Sequence, residues 1–304
     1  MNMKAFITFI VSVVTMTQMG WAQLNPSPSQ YFHNLLFQNV AATGMDGRVR
    51  IDGAYRNVSP NTFVGAPVNQ LFSIQGKVGG RSGIGLQFQQ ESAGLLNRSR
   101  ILGSYALDLS SGQTRVRLGV GLGTMLSRIN QSGGAVIRGE IGDPLIAAFN
   151  EQKMKVDGSI GALIETGKGW TIMTSIPSLG AIQEFSAYDG VDYAVLNFMV
   201  SKKLNFAKTQ DGSVSVQPLL GYRLIKGLPG IVDVGAIMNY QGWIKFCGIY
   251  HSNNEVALGV GIPYKEKLSI NFTYNTGKVY TKNYLNTSGT MELHLMLTLG
   301  KAKQ

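Results

Sequence analysis

The chain has 304 residues, 44% of them hydrophobic and only 14% charged, with a formal charge of +10 from 27 Lys+Arg against 17 Asp+Glu. That much apolar content with so little charge excludes disorder. The basic residues stand singly, as at Arg48, Arg50, Arg56, Arg81 and Arg98, which argues against a nucleic-acid surface.

Taken in chain order, residues 1–22 read as a signal peptide. Lys4 supplies the positive start, Ala5 to Val14 the apolar stretch, and Gly20 and Ala22 the small residues before a cut at Gln23. The apolar stretch is too short to span a bilayer of about 30 Å, and no later segment approaches about 18 uninterrupted apolar residues. A membrane can therefore be crossed only by strands. Residues 23–48 open on the polar, Pro-bearing run Asn25-Pro26-Ser27-Pro28-Ser29-Gln30 and are expected to form a periplasmic N-terminal arm or plug.

From Val49 onward greasy and polar residues alternate, the rhythm of strands with one oily and one wetter face. Val49, Ile51, Gly53 and Tyr55 oppose Arg50, Asp52, Ala54 and Arg56. Ile84, Leu86 and Phe88 oppose Gly85, Gln87 and Gln89; the last stretch, Met291 to Leu299, repeats the pattern. About fourteen such strands fit between Val49 and the end. Short turns are expected at 79–81, 110–113, 167–168, 241–242 and 264–265, alternating with longer links at 58–67, 91–98, 128–153, 178–190 and 276–289. Two segments break the rule: 203–212 is long where a short turn belongs, and 252–253 is short where a long link belongs. Aromatic residues near strand ends, among them Tyr55, Trp170, Tyr222, Tyr240, Trp243 and Tyr250, suit interfacial girdles. The expected fold is all-β: an antiparallel transmembrane β-barrel over 49–304, with short periplasmic turns and longer extracellular loops, in the cell outer membrane. A soluble secreted sandwich, its oily faces turned inward, would share the periodicity.

The chemistry of sites is sparse. His33, His251 and His294 are far apart and never at ligand spacing, so no metal and no cofactor is expected. No acid, base and nucleophile gather near one another, so no enzyme is expected. Gly119-Val120-Gly121-Leu122-Gly123 lies inside a strand pattern with no helix behind it; it reads as a thin strand face against a crowded lumen. Arg50, Asp52, Arg100, Asp108, Arg115 and Arg117 are candidates to line the lumen, either paired as internal salt bridges or, in a porin or transporter, lining an anion-preferring channel. Candidate partner-binding residues are Gln30, Tyr31, Phe32 and Asn34 of the arm, and Arg128, Arg138, Glu140, Asp143 and Glu151 of the longest loop, a mixed-sign set suited to protein recognition.

A series of phrases resembles the PorP/SprF family of Bacteroidota outer-membrane proteins. Ser29-Gln30-Tyr31-Phe32-His33-Asn34 is similar to that family's opening S-Q-Y-M-F-N. Arg56 through Gly65-Ala66-Pro67 follows its R-x-x-W…G-A-P segment without the Trp. Gly83-Ile84-Gly85-Leu86, Tyr105-Ala106-Leu107, Leu118-Gly119-Val120-Gly121, Asp143-Pro144 and Ser178-Leu179 follow in order over about 23–180, and Ser288-Gly289-Thr290-Met291-Glu292-Leu293 resembles the closing G-S-H-E-I. The resemblance implies a non-enzymatic barrel of type IX secretion and gliding motility. Its implied partners are the periplasmic ring and peptidoglycan-binding lipoproteins of the machinery, or one secreted adhesin-like cargo.

Overall fold

Alternating side chains need a sheet with two different surroundings, and a sheet in lipid must have no free edge. The computed structural model satisfies both. It describes residues 33–58, 66–110, 112–129, 144–151, 153–180, 194–209, 212–225, 229–265, 267–276, 279–281, 284–286 and 289–300. Fourteen antiparallel strands form an up-and-down barrel: β1 Val49–Val58, β2 Val68–Val78, β3 Ser82–Ala93, β4 Leu96–Asp108, β5 Thr114–Ile129, β6 Lys155–Thr166, β7 Trp170–Ile176, β8 Ala194–Lys202, β9 Gly212–Ile225, β10 Ile231–Tyr240, β11 Ile244–His251, β12 Glu255–Tyr264, β13 Leu268–Asn275 and β14 Thr290–Leu299. Each pairs with the next, and β14 closes onto β1 from Val49↔Leu299 to Val58↔Thr290. Among the described residues no helix is long and apolar enough to cross a membrane.

The parity read from the sequence is the parity observed, and it is inside out relative to a soluble protein. Ile84, Leu86, Leu118, Val120, Ile270, Phe272, Leu293 and Leu295 face outward and exposed. Asp52, Gln87, Arg117, Ser159, Asn271, Glu292 and His294 face inward and buried. An oily exterior over a polar interior is the arrangement of a barrel solvated by acyl chains. Exposed Tyr240, Trp243, Tyr264 and Trp170 ring the short-turn rim, and Tyr55, Tyr222 and Tyr250 the other, where amphipathic rings suit the headgroup region.

The loop pattern needs two corrections. The expected link at 91–98 is a tight turn at 94–95, with Gly94 at φ 60, because β3 runs to Ala93 and β4 starts at Leu96. Glu91 and Arg98 look like loop residues in sequence but are buried, inward-facing strand residues. The long 203–212 segment is not a loop either. A short strand at Leu204–Thr209 pairs with Gly212–Val216 at the foot of β9, so the β8–β9 hairpin extends past the rim. The turn between β11 and β12 remains short, with Asn254 at φ 66. In the longest loop, helix α1 (Pro144–Asn150) is fastened to the end of β5: Asn150 accepts from Ile129 N at 2.8 Å and donates to Ile129 O at 2.9 Å. The proposed leader 1–22 lies outside the described residues, as do 23–32.

Candidate functional site

The interior of the short-turn half is filled by residues 33–48, which turn into the lumen before β1 begins. The local cause is a repeated asparagine. Asn34 and Asn39 are both extended, at φ −147 and −148, and each accepts a hydrogen bond from the backbone N–H two residues on, at 2.9 Å. Such capping starts a 3-10 turn, here Leu35–Phe37 and then Val40–Ala42. Thr43 closes the second turn by donating Oγ1 to Val40 O at 2.7 Å, and Gly44 takes φ 64, bending the chain toward β1.

The wall is shaped to receive this plug. Lumen-facing positions in register across the sheet read Gly83↔Ala106, Ala106↔Gly119, Gly119↔Gly161 and Gly161↔Ser175. The plug lies along that row of small residues. A Cβ at Gly83 would meet Thr43 O at 2.1 Å, one at Gly119 would meet Ala41 N at 2.3 Å, and one at Gly161 would meet Asn39 Oδ1 at 2.0 Å. None of these distances admits a side chain. Glycine at Gly119 is therefore a packing requirement against a crowded lumen, as its place in a strand suggested.

Polar contacts fasten the plug around the wall. Asn39 donates to Ala162 O at 2.9 Å and Thr174 O at 3.1 Å. Ser175 donates to Gln38 O at 2.6 Å, and Gly44 N–H donates to Gln75 Oε1 at 2.9 Å. Arg117 caps the second turn, donating Nε to Ala41 O at 2.8 Å and a second N–H to Thr43 O. Arg50 grips both ends, donating to His33 O and lying 3.1 Å from Asp46, while Asp52 holds it at 2.9 Å. His33 meets Thr273 Oγ1 at 2.9 Å and stacks on His294 with centroids 5.1 Å apart. Burial, then the neighbouring His294, Lys245 and Arg50, pushes the His33 imidazole down to about 3, so it is neutral at ordinary pH.

Toward the long-loop rim, ion pairs between nearby strands line the inner wall. Arg100 reaches Asp157 at 2.6 Å, and Asp157 also accepts from Ser178 and Gly180 N–H at 2.9 Å each, tying the chain after β7 inward. Arg223 binds Asp233 through both carboxylate oxygens at 2.7 Å, and His251 Nδ1 lies 2.5 Å from the same carboxylate. Arg56 has Glu292, Glu255 and Glu91 as its anionic company.

Of the six residues proposed for the lumen, Asp52 and Arg117 are buried and Arg50, Arg100 and Asp108 largely so, whereas Arg115 is 44% exposed at the short-turn end of β5. Arg115 lies 3.1 Å from Glu165 and 3.8 Å from Asp108, and Arg117 lies 3.5 Å from Asp108. The partner-binding candidates fare differently. Asn34 is corrected: at 2% exposure, and 3.3 Å from Ser73 Oγ, it is a strut of the plug with no surface to offer a partner. Glu151 is exposed beyond α1, and Arg128 is a strand residue near the end of β5. Gln30, Tyr31, Phe32, Arg138, Glu140 and Asp143 lie outside the described residues. Sequence reasoning missed Asn39, Gly83, Gly161 and the pairing of Arg223 and His251 with Asp233. Glycine recurring at lumen parity on neighbouring strands was the available signal for Gly83 and Gly161. Among the described residues no group of three or more His, Cys, Asp or Glu is placed to hold a metal ion.

A family model described as "Type IX secretion system membrane protein PorP/SprF" matches residues 21–297. No curated protein matches the chain. Among solved structures it is similar to the outer membrane protein Omp33 of Acinetobacter baumannii, at 6% identity and TM-score 0.48, covering 84% of this chain and 100% of that one. It is also similar to a bacterial polysaccharide outer membrane secretin, at 8% identity and TM-score 0.45, covering 84% and 99%. CdiB from Acinetobacter baumannii gives 9% identity and TM-score 0.43, covering 83% and 60%.

Proposed function

Because this chain belongs to the PorP/SprF family of type IX secretion system membrane proteins, we propose that it is a non-catalytic docking barrel of that system in the outer membrane. It acts either as a secretion component or as the dedicated partner of one secreted, adhesin-like surface protein. The periplasmic ring and peptidoglycan-binding lipoproteins meet its short-turn rim. The cargo meets the longer loops, including the 128–153 loop with Arg128, Arg138, Glu140, Asp143 and Glu151.

The observation that carries this reading is the filled lumen. A pore-forming barrel keeps a hydrated, charged constriction, whereas here Arg50, Arg100, Arg115 and Arg117 have carboxylate partners and the plug is fastened across the wall. A closed barrel serves secretion by what it holds at its rims. The alternative, an anion-preferring porin, requires those arginines to face passing solutes. Deletion of the gene is the test in cells. Loss of a surface or secreted protein from the deletion strain, with general solute uptake unchanged, is expected; unchanged secretion with impaired uptake of small anions would overturn the proposal.

A further inference from the structure

Beside the plug the short-turn end of the lumen keeps a cavity of about 440 Å³, a size that accommodates small-ligand-sized groups. Its far wall is a register row. Ser215 pairs with Asn239 and Asn239 with Lys245, placing a hydroxyl, an amide and an ammonium side by side on β9, β10 and β11. Lys203, an exposed residue, also lines the cavity.

Arg50, Lys203 and Lys245 line the cavity against the carboxylates of Asp46 and Glu165. Arg50 is committed to Asp46 and Asp52, and Glu165 faces Arg115. Among the described residues, neither Lys203 nor Lys245 lies within 4.0 Å of a carboxylate. The buried Asn239 Oδ1 also has no hydrogen-bond partner. The two ends of an amide exchange by rotation, so this terminus suits either a carboxylate or a peptide N–H. An unmatched cation and an unsatisfied amide in a part-buried cavity are costly unless something fills them. Next to them lie apolar Leu35, Leu219 and Ile237, and Ala42 of the plug also lines the cavity. A free carboxylate beside an apolar side chain is the composition of a chain end, and it matches this lining. The lining side chains face the lumen, away from the acyl belt, which disfavours a lipid headgroup.

We infer that this cavity is a docking site for the carboxyl-terminal end of a periplasmic partner. The terminal carboxylate pairs with Lys245 and Lys203, and an apolar last side chain rests on Leu35, Leu219 and Ile237. The inference rests on the docking reading above and gives the periplasmic rim a specific ligand chemistry.

The test uses full-length protein in detergent and a fluorescein-labelled hexapeptide ending in Asp-Leu with a free carboxylate, read by fluorescence anisotropy. Saturable binding is expected. It should weaken about tenfold or more when the terminus is amidated, and by a similar factor in Lys245→Gln and in Lys203→Gln, as loss of a charge-assisted contact implies. Lys245→Arg should retain most of the affinity, and Lys77→Gln, near the same rim but outside the cavity, all of it. Heat-modifiable gel migration identifies variants that remain folded. No binding by the unmodified protein, equal binding of the amidated peptide, displacement by equimolar inorganic phosphate, or an equal loss in Lys77→Gln would each overturn the assignment. The docking reading fails separately: if the deletion strain loses a surface protein but the peptide does not bind, only the cavity assignment falls.

Discussion

Glycine at three lumen positions and asparagine at two plug positions decide how the interior closes. Gly119 and Gly161 leave room for backbone and for Asn39, and any Cβ there would overlap by more than an ångström. Gly119→Leu is therefore expected to unseat the plug. Overpacking of this kind costs about 1–3 kcal/mol, and cleavage of the 33–48 segment by added protease should rise against the wild type; equal cleavage would mean that the plug is held elsewhere. His33 makes the seating sensitive to pH. Its ordinary value is 6.5 and its seated value about 3, so between the two the unfolded chain binds more protons than the folded one. Stability then falls as pH is lowered through that window and is unaffected by this ring above it. Unfolding midpoints measured from pH 7.5 to 4 should decline more steeply in the wild type than in His33→Gln; parallel declines would remove His33 from the account. At Asp233, buried with Arg223 and His251 at 0–2% side-chain exposure, Asp233→Asn strands a guanidinium in the wall. Breaking such a pair costs about 3–5 kcal/mol, visible as a lower denaturant midpoint in detergent.

Strands were legible in the sequence because period two survives whichever face meets lipid, and β1, β3 and β14 carry it without interruption. Their ends were less legible. Glu91 and Arg98 look like loop, yet they extend β3 and β4, since polar residues point inward in a barrel and the usual meaning of polarity is reversed. Likewise the 204–209 hairpin foot looked like a long turn because it carries Asn205 and Lys208 between its greasy residues. The plug was anticipated only as a segment. Its seat depends on register across β3, β4, β5 and β6, long-range pairing that no local pattern specifies. The outward face offers its own test. Leu295 is central to β14 and 46% exposed, so Leu295→Arg should destabilise the barrel in vesicles by about 2–4 kcal/mol, as arginine at the bilayer midplane does. A neutral result would place that face away from the hydrocarbon.

At the scale of the molecule, the proposed docking reading takes the barrel as closed by the plug of residues 33–48, which is fastened to the wall of the short-turn half. Ion pairs line the wall toward the long-loop rim, and residues 33–48 occupy the short-turn half beside the cavity. The proposed docking function then resides at the rims, with the loops and the short-turn mouth as the holding surfaces. Planar-bilayer recording of the purified full-length protein tests this most directly. Reconstituted wild type should show no stable open level, while Gly119→Leu should show flickering steps as the plug leaves its seat. A steady ohmic channel in the wild type, unchanged by the substitution, would contradict the closed lumen on which the docking function rests.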